Sequence, residues 1–200
     1  MDDLQKKWAD FLNPEVVRYR LLTSGVFLVA HEVLIDTITR QPLKFFSNKW
    51  SAEKGWEVSE AYKANVLDLD PKKKGDRLRS SLEWWRLNGA ISGSDISEFK
   101  EIVKARNQFA HELSNHVGSG SGPKFEEIYP QLVELLLKIE RWWILNVEMA
   151  TDEEWAGIEV EIEDIVPGKK ILLEIMELVT LGDQEKAWKL YNDFVRSDPN

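Results

Sequence analysis

Asn13-Pro14 opens the stretch that most limits what this chain can become. Asn is a strong N-cap and Pro is favoured at the first helical position, so the pair predicts a helix start. From there Val17, Leu21, Ser24, Leu28, His31, Ile35 and Ile38 keep a helical rhythm to about Thr39. The middle of the run is apolar on nearly every side. Such a helix must lie at the centre of other helices. Its longest charge-free apolar stretch, Leu21 to Ala30, is ten residues, whereas a membrane span needs about 20. The expectation is a core helix of an all-α protein that does not enter a membrane.

The rest of the chain reads the same way. Residues 2–12 predict a short helix with Leu4, Trp8, Phe11 and Leu12 on one face. Gln41-Pro42 predicts the end of the long helix. Residues 43–56 read as an irregular connection packed through Phe45, Phe46 and Trp50. Helices follow over about 57–67, 76–88 and 95–115, the second stopped by Asn88-Gly89. Gly118-Ser-Gly-Ser-Gly122 reads as a flexible loop. It lacks the lysine–serine or lysine–threonine ending and the preceding strand of a P-loop, but its position makes it a candidate flap. Pro123 opens a helix to about Ala150, with a kink expected at Pro130. From Glu148 to Gly168 there are eight acidic residues and no Lys or Arg, and Ile158-Glu-Val-Glu-Ile-Glu alternates with period two, predicting an extended segment. Helices over about 169–181 and 183–196 close the chain. Residues 1–150 are expected to form one helical domain. Residues 151–200 are expected to pack on it as an acidic segment and a helix pair.

The charge balance, 26 Lys and Arg against 35 Asp and Glu, is −9. That argues against broad nonspecific nucleic-acid binding but leaves room for a local basic site. The one basic region holds Lys72, Lys73, Lys74, Arg77, Arg79 and Arg86, with Trp84 and Trp85 close by. It reads either as an RNA-backbone groove with a stacking aromatic or as a solvated loop entering a helix whose tryptophans are core. Nine tryptophans in 200 residues are expected to serve mainly in packing. There is no cysteine, which fits a reducing cytoplasm. The first residues, MDDLQKKW, have no apolar signal region. With three histidines and no cysteine, no metal site or cofactor is expected. His31 reads as a core histidine, or alternatively as a second site base.

Arg106-Asn107-Gln108-Phe109-Ala110-His111 carries the chemistry. Arginine grips phosphate oxygens with a planar cationic fork. Histidine takes or gives a proton near neutrality. Asn107 and His111 are four apart and share a helix face, where the amide can orient the imidazole. The bland alternative is an Arg106 surface bridge to a nearby glutamate and a helix-terminal histidine favoured by the dipole.

An R-N-x-x-x-H run on a long helix, followed by a loop and another long apolar helix, resembles the signature of the HEPN superfamily (higher eukaryote and prokaryote nucleotide-binding domain). The resemblance spans about residues 14–150. It implies an up-down helical bundle with long antiparallel helices. It also implies a metal-independent endoribonuclease acting in a toxin–antitoxin or phage-defence setting, with Arg106, Asn107 and His111 as catalytic residues. The expected partners are RNA, with tRNA as a candidate, a second copy of the chain and an antitoxin protein. On an ideal helix, positions five apart diverge by about 140°. Members of the family meet that difficulty by dimerising, so that two motifs share a cleft. The alternative is a noncatalytic dimeric binding or regulatory module, with the acidic segment as its contact.

Overall fold

The structure is a computed structural model that describes residues 2–155 and 157–197. Among these residues nine α-helices and one minimal hairpin make the protein all-α: α1 (Asp3–Leu12), α2 (Pro14–Phe46), β1 (Trp50–Ser51), β2 (Gly55–Trp56), α3 (Glu60–Asn65), α4 (Arg77–Leu87), α5 (Gly93–His111), α6 (Leu113–Ser119), α7 (Phe125–Trp143), α8 (Gly168–Leu181) and α9 (Gln184–Ser197). The chain divides into two compact units. One holds the residues up to Ala30, Val103–Tyr129 and those from Gly168 onward. The other holds His31–Ile102 and Pro130–Pro167. The last three residues of the C-terminal stretch lie outside the described ones.

Local chemistry sets most helix ends. Asp2 accepts from the amide of Gln5 while the Gln5 side chain accepts from Asp2, a capping box that starts α1. Asn13 Oδ1 accepts from the Glu15 amide at 3.0 Å and starts α2. Ser59 caps α3 and Asp76 caps α4. Gly89, at φ +77°, closes the turn after α4 in the left-handed region. Ser92 and Asp95 bond reciprocally at 2.7 and 3.3 Å to start α5.

Two expectations about α2 fail. The helix does not stop at Pro42 but runs on to Phe46. Proline leaves the carbonyl four residues back, that of Ile38, without its helical donor. The indole Nε1 of Trp85 donates to that carbonyl at 2.9 Å. Nor is the helix apolar-enclosed on every side. Phe27, Ala30, Leu34 and Ile38 are fully buried, while Leu21 and Val29 are half exposed. By length and composition α2 could cross a membrane; half of its most apolar window is buried within the protein.

In the second unit the core is aromatic. Trp85 packs edge-on against Trp84, Trp142 and Trp143, with Phe45 on Trp143 and Phe46 on Trp84. The Trp84-Trp85 pair is therefore core, not a stacking platform. Trp8, Trp50, Trp155 and Trp188 are instead exposed, so packing accounts for five of the nine. Residues 50–56, expected to be irregular, pair as a two-residue antiparallel hairpin with Trp50 opposite Trp56. The regular pitch of α7 ends at Trp143, and the chain continues as a π-turn over Ile144–Glu148 and a 3-10 turn to Thr151. Residues 158–161 have no regular structure and no strand partner among the described residues, and the end of the run expected to be extended forms instead a 3-10 turn over Ile162–Asp164.

In the first unit Phe27 packs against Phe109 with ring centroids 4.9 Å apart and the planes tilted by 45°, seating the end of α5 against α2. The expected helix over 95–115 is interrupted: α5 ends at His111, Glu112 turns at φ −114° and ψ 22°, and α6 begins at Leu113.

Candidate functional site

Phe109 fixes the orientation of the motif. It is fully buried between Phe27 and the His116 ring. At about 100° per residue, Asn107 and His111 lie on the far side of the helix from Phe109, and Arg106 flanks it by about 60°. Burial agrees: Asn107 and His111 are exposed and Arg106 is half-buried. Arg106 Nη1 donates to Asn107 Oδ1 at 3.4 Å. All three side chains lie within α5, so the divergence of Arg106 and His111 expected from helical geometry holds in one chain. His111 is the last residue of the helix, next to the bend at Glu112.

The stretch expected to be a flexible loop is partly helical. α6 takes in Gly118 and Ser119, and Gly120 caps it at φ +68°. Arg20 reaches under this end: its Nη1 donates to the Val117 carbonyl at 3.0 Å and its Nη2 to Asp10 at 3.3 Å. The left-handed φ of +68° favours glycine here, and a Cβ at Gly120 would lie 2.6 Å from that Nη2, so the guanidinium would have to shift to admit one. His116 is buried, and its Nδ1 lies 3.1 Å from the Ser121 carbonyl. The chain after α6 is thus wrapped around two side chains of its own unit.

The basic residues belong to the other unit. Lys72, Lys73, Lys74 and Arg77 are exposed. Arg79 is committed: its Nε and Nη2 donate to the two Asp70 oxygens at 3.0 Å each, and Nη1 lies 3.2 Å from Asp76. Asp70 is buried and also accepts from the amides of Lys72, Lys74 and Asp76 at 3.0 Å. The Arg79 guanidinium and these amides hold its carboxyl well below the usual carboxylate range, against the opposing effect of burial. Sequence reasoning grouped Arg79 with the RNA-facing cations and passed over Asp70. The signal was an Asp before Pro, followed by a run of amides lacking helical partners.

His31 is buried, with Nδ1 3.8 Å from Glu32, which fits the core reading and not a site base. Two tyrosines of the first unit lie against carboxylates. Tyr19 donates to Glu126, and this bond pushes its hydroxyl up to about 12. Burial, followed by Glu177 and Glu174, pushes Tyr129 up to about 12. Both hydroxyls stay protonated near neutrality, so neither is suited to act as a general base there. Among the described residues no group of three or more His, Asp or Glu side chains is placed to hold a metal ion. No protein-family model, no curated protein and no solved structure matches this chain.

Proposed function

We propose that this chain is a metal-independent endoribonuclease of HEPN type, working as a homodimer in the cytoplasm, in a toxin–antitoxin or phage-defence role. RNA, with tRNA as a candidate, is the substrate, and an antitoxin protein is the expected partner. The observation that carries the reading is the outward placement of Asn107 and His111 beside Arg106 at an exposed helix end. In the reaction a ribose 2′-oxygen attacks the adjacent phosphorus and the bond to the 5′-oxygen breaks. His111 takes the 2′ proton or delivers one to the leaving oxygen. Arg106 neutralises the charge that develops on the phosphoryl oxygens. Asn107, one helical turn before His111, orients the imidazole. Because Arg106 and His111 diverge on one helix, the phosphate sits between the guanidinium of one copy and the imidazole of the other.

The test is cleavage of RNA in the presence of EDTA, with a 2′,3′-cyclic phosphate on the product. His111→Ala or Arg106→Ala should lower the rate by about 100-fold or more while the melting temperature stays within about 2 °C, as expected for surface changes. Cleavage that survives both changes would refute this assignment of roles. A wild type that cuts no RNA in a varied panel favours the second reading, a noncatalytic helical binding module. That reading draws on the apolar side chains that α1 leaves in solvent: Leu4, Trp8 and Phe11 border a shallow apolar depression with Gly118.

A further inference from the structure

The α8–α9 hairpin belongs to the first unit and is an αα-hairpin whose amphipathic pattern is turned the wrong way for a finished protein. On α9, Ala187, Trp188, Leu190, Tyr191, Phe194 and Val195 fall within an arc of about 160°, and Glu185, Lys186, Lys189, Asp193 and Arg196 occupy the remainder. An amphipathic helix normally buries that apolar arc. Here Trp188 is 62% exposed, Tyr191 57% and Phe194 74%. Helix α8 is apolar on two faces. Leu173 is 2% exposed and anchors the inner one, while Ile171, Ile175 and Val179 are left outward. Gly182 sets the turn between the helices: a Cβ there would lie 2.6 Å from the Leu178 carbonyl oxygen, so the tight reversal depends on glycine.

Three features say what covers this face. The first is area. Taking about 150–250 Å² for each aromatic and about 60–120 Å² for each aliphatic side chain, the exposed fractions add to roughly 500–800 Å² of apolar surface. A stable interface buries about 800 Å² per partner, roughly two-thirds of it apolar in homodimers. The exposed apolar side chains of the two helices together reach that order of area. The second is charge. The chain carries −9, but residues 168–197 hold five cations and five anions. The hairpin is neutral, as is the rest of its unit, so two copies can meet there without net repulsion. The third is the pattern on the face. The apolar arc carries no charged residue that would select a charged peptide, and the polar arc of α9 is mixed in sign, not the basic one a membrane surface requires. We infer that the outward face of the α8–α9 hairpin is the docking site for a second copy of this chain, two hairpins closing a four-helix arrangement about a two-fold axis. A two-fold contact is self-complementary by construction, so one apolar face serves both sides.

The inference does not depend on ribonuclease activity, and its test reads assembly alone. Light scattering on the 200-residue chain should give about 46 kDa, twice the 23.2 kDa of one copy. Trp188→Glu and Phe194→Glu should each weaken dimerisation by about 30-fold or more, the size expected for an interface aromatic, with an unchanged helical circular dichroism spectrum. Trp8→Glu, at an exposed indole on α1, should leave the dimer intact. The chain has no cysteine, so single cysteines report cleanly. Cysteine scanned over Ile175, Val179, Tyr191 and Phe194 should give a disulfide-linked dimer from at least one position, whereas Lys189→Cys on the polar arc should not. This scan decides the matter if the glutamate variants fail to fold. A wild type that stays monomeric up to millimolar concentration overturns the inference. So does a dimer that survives both glutamate changes and yields no cross-link from the face. A dimer held through α5 would give that second result while leaving the ribonuclease reading standing.

Discussion

Asp70 accepts three backbone amides and both arms of the Arg79 fork, and by doing so sets the course of the lysine loop. Asparagine at this position keeps one acceptor oxygen and loses the charge, so at least one loop amide and one arm of the guanidinium fork are left under-satisfied. Asp70→Asn should therefore lower stability and raise amide exchange at Lys72, Lys74 and Asp76. The pH dependence follows from the direction of the shift. A carboxyl whose folded value is depressed contributes stability that is complete above its unfolded value, about 3.9, and is lost as pH falls through the folded value. The gap between wild type and Asp70→Asn should thus be constant from neutrality down to about pH 5 and narrow below about pH 4. Urea midpoints across that range measure it, and a gap that closes near neutrality would show that Asp70 is not the group responsible. Arg79→Gln should share the loss of stability, because its partner is the same carboxylate. It should not behave as a phosphate contact.

At the scale of the element, α2 passes through Pro42 because another helix repairs the damage. Replacing Trp85 by Phe removes the Nε1 donor and leaves the Ile38 carbonyl buried and unpaired, at a cost of about 1–3 kcal/mol. Pro42→Ala returns an N–H to the helix at the position four residues on. In that background Trp85→Phe should cost less, by about 0.5–1.5 kcal/mol, and a double-mutant cycle on denaturant midpoints reads the difference. Additive costs would mean that the proline and the indole do not share the carbonyl. The same pair explains what sequence reading could and could not reach. The caps at Asn13, Asp76 and Gly89 are local chemistry, and α4, α8 and α9 fall within about two residues of expectation. The stop at Pro42 failed because its remedy lies 43 residues away in α4, beyond any local window. The break after His111 had no glycine or proline to announce it. The outward positions of Asn107 and His111 did follow from spacing once Phe109 was placed inward. The ties that hold Arg79 and the glycine loop did not, because Asp70 and Arg20 are ordinary polar residues until burial makes them partners.

At the scale of the whole molecule, the proposed ribonuclease activity requires a chain of net charge −9 to approach a polyanion. Eight of the acidic residues lie between Glu148 and Asp164, without a compensating cation. The exposed Lys72, Lys73 and Lys74 on the loop that Asp70 organises are the counterweight. Held by a buried carboxylate, the loop backbone is already ordered, so binding has to order only the lysine side chains. If the RNA backbone crosses that loop, three phosphate contacts to a single strand give a slope of about −2 in log affinity against log salt. Changing all three lysines to Gln should then bring the slope close to zero and raise KM, while kcat at saturating RNA stays near wild type, because His111 and Arg106 are untouched. His111→Ala should show the opposite split, with the slope kept and turnover lost. A slope that survives the triple change would place the RNA track elsewhere on the surface. It would also mean that the lysines serve solubility, as an exposed cationic loop on an acidic protein can without touching RNA.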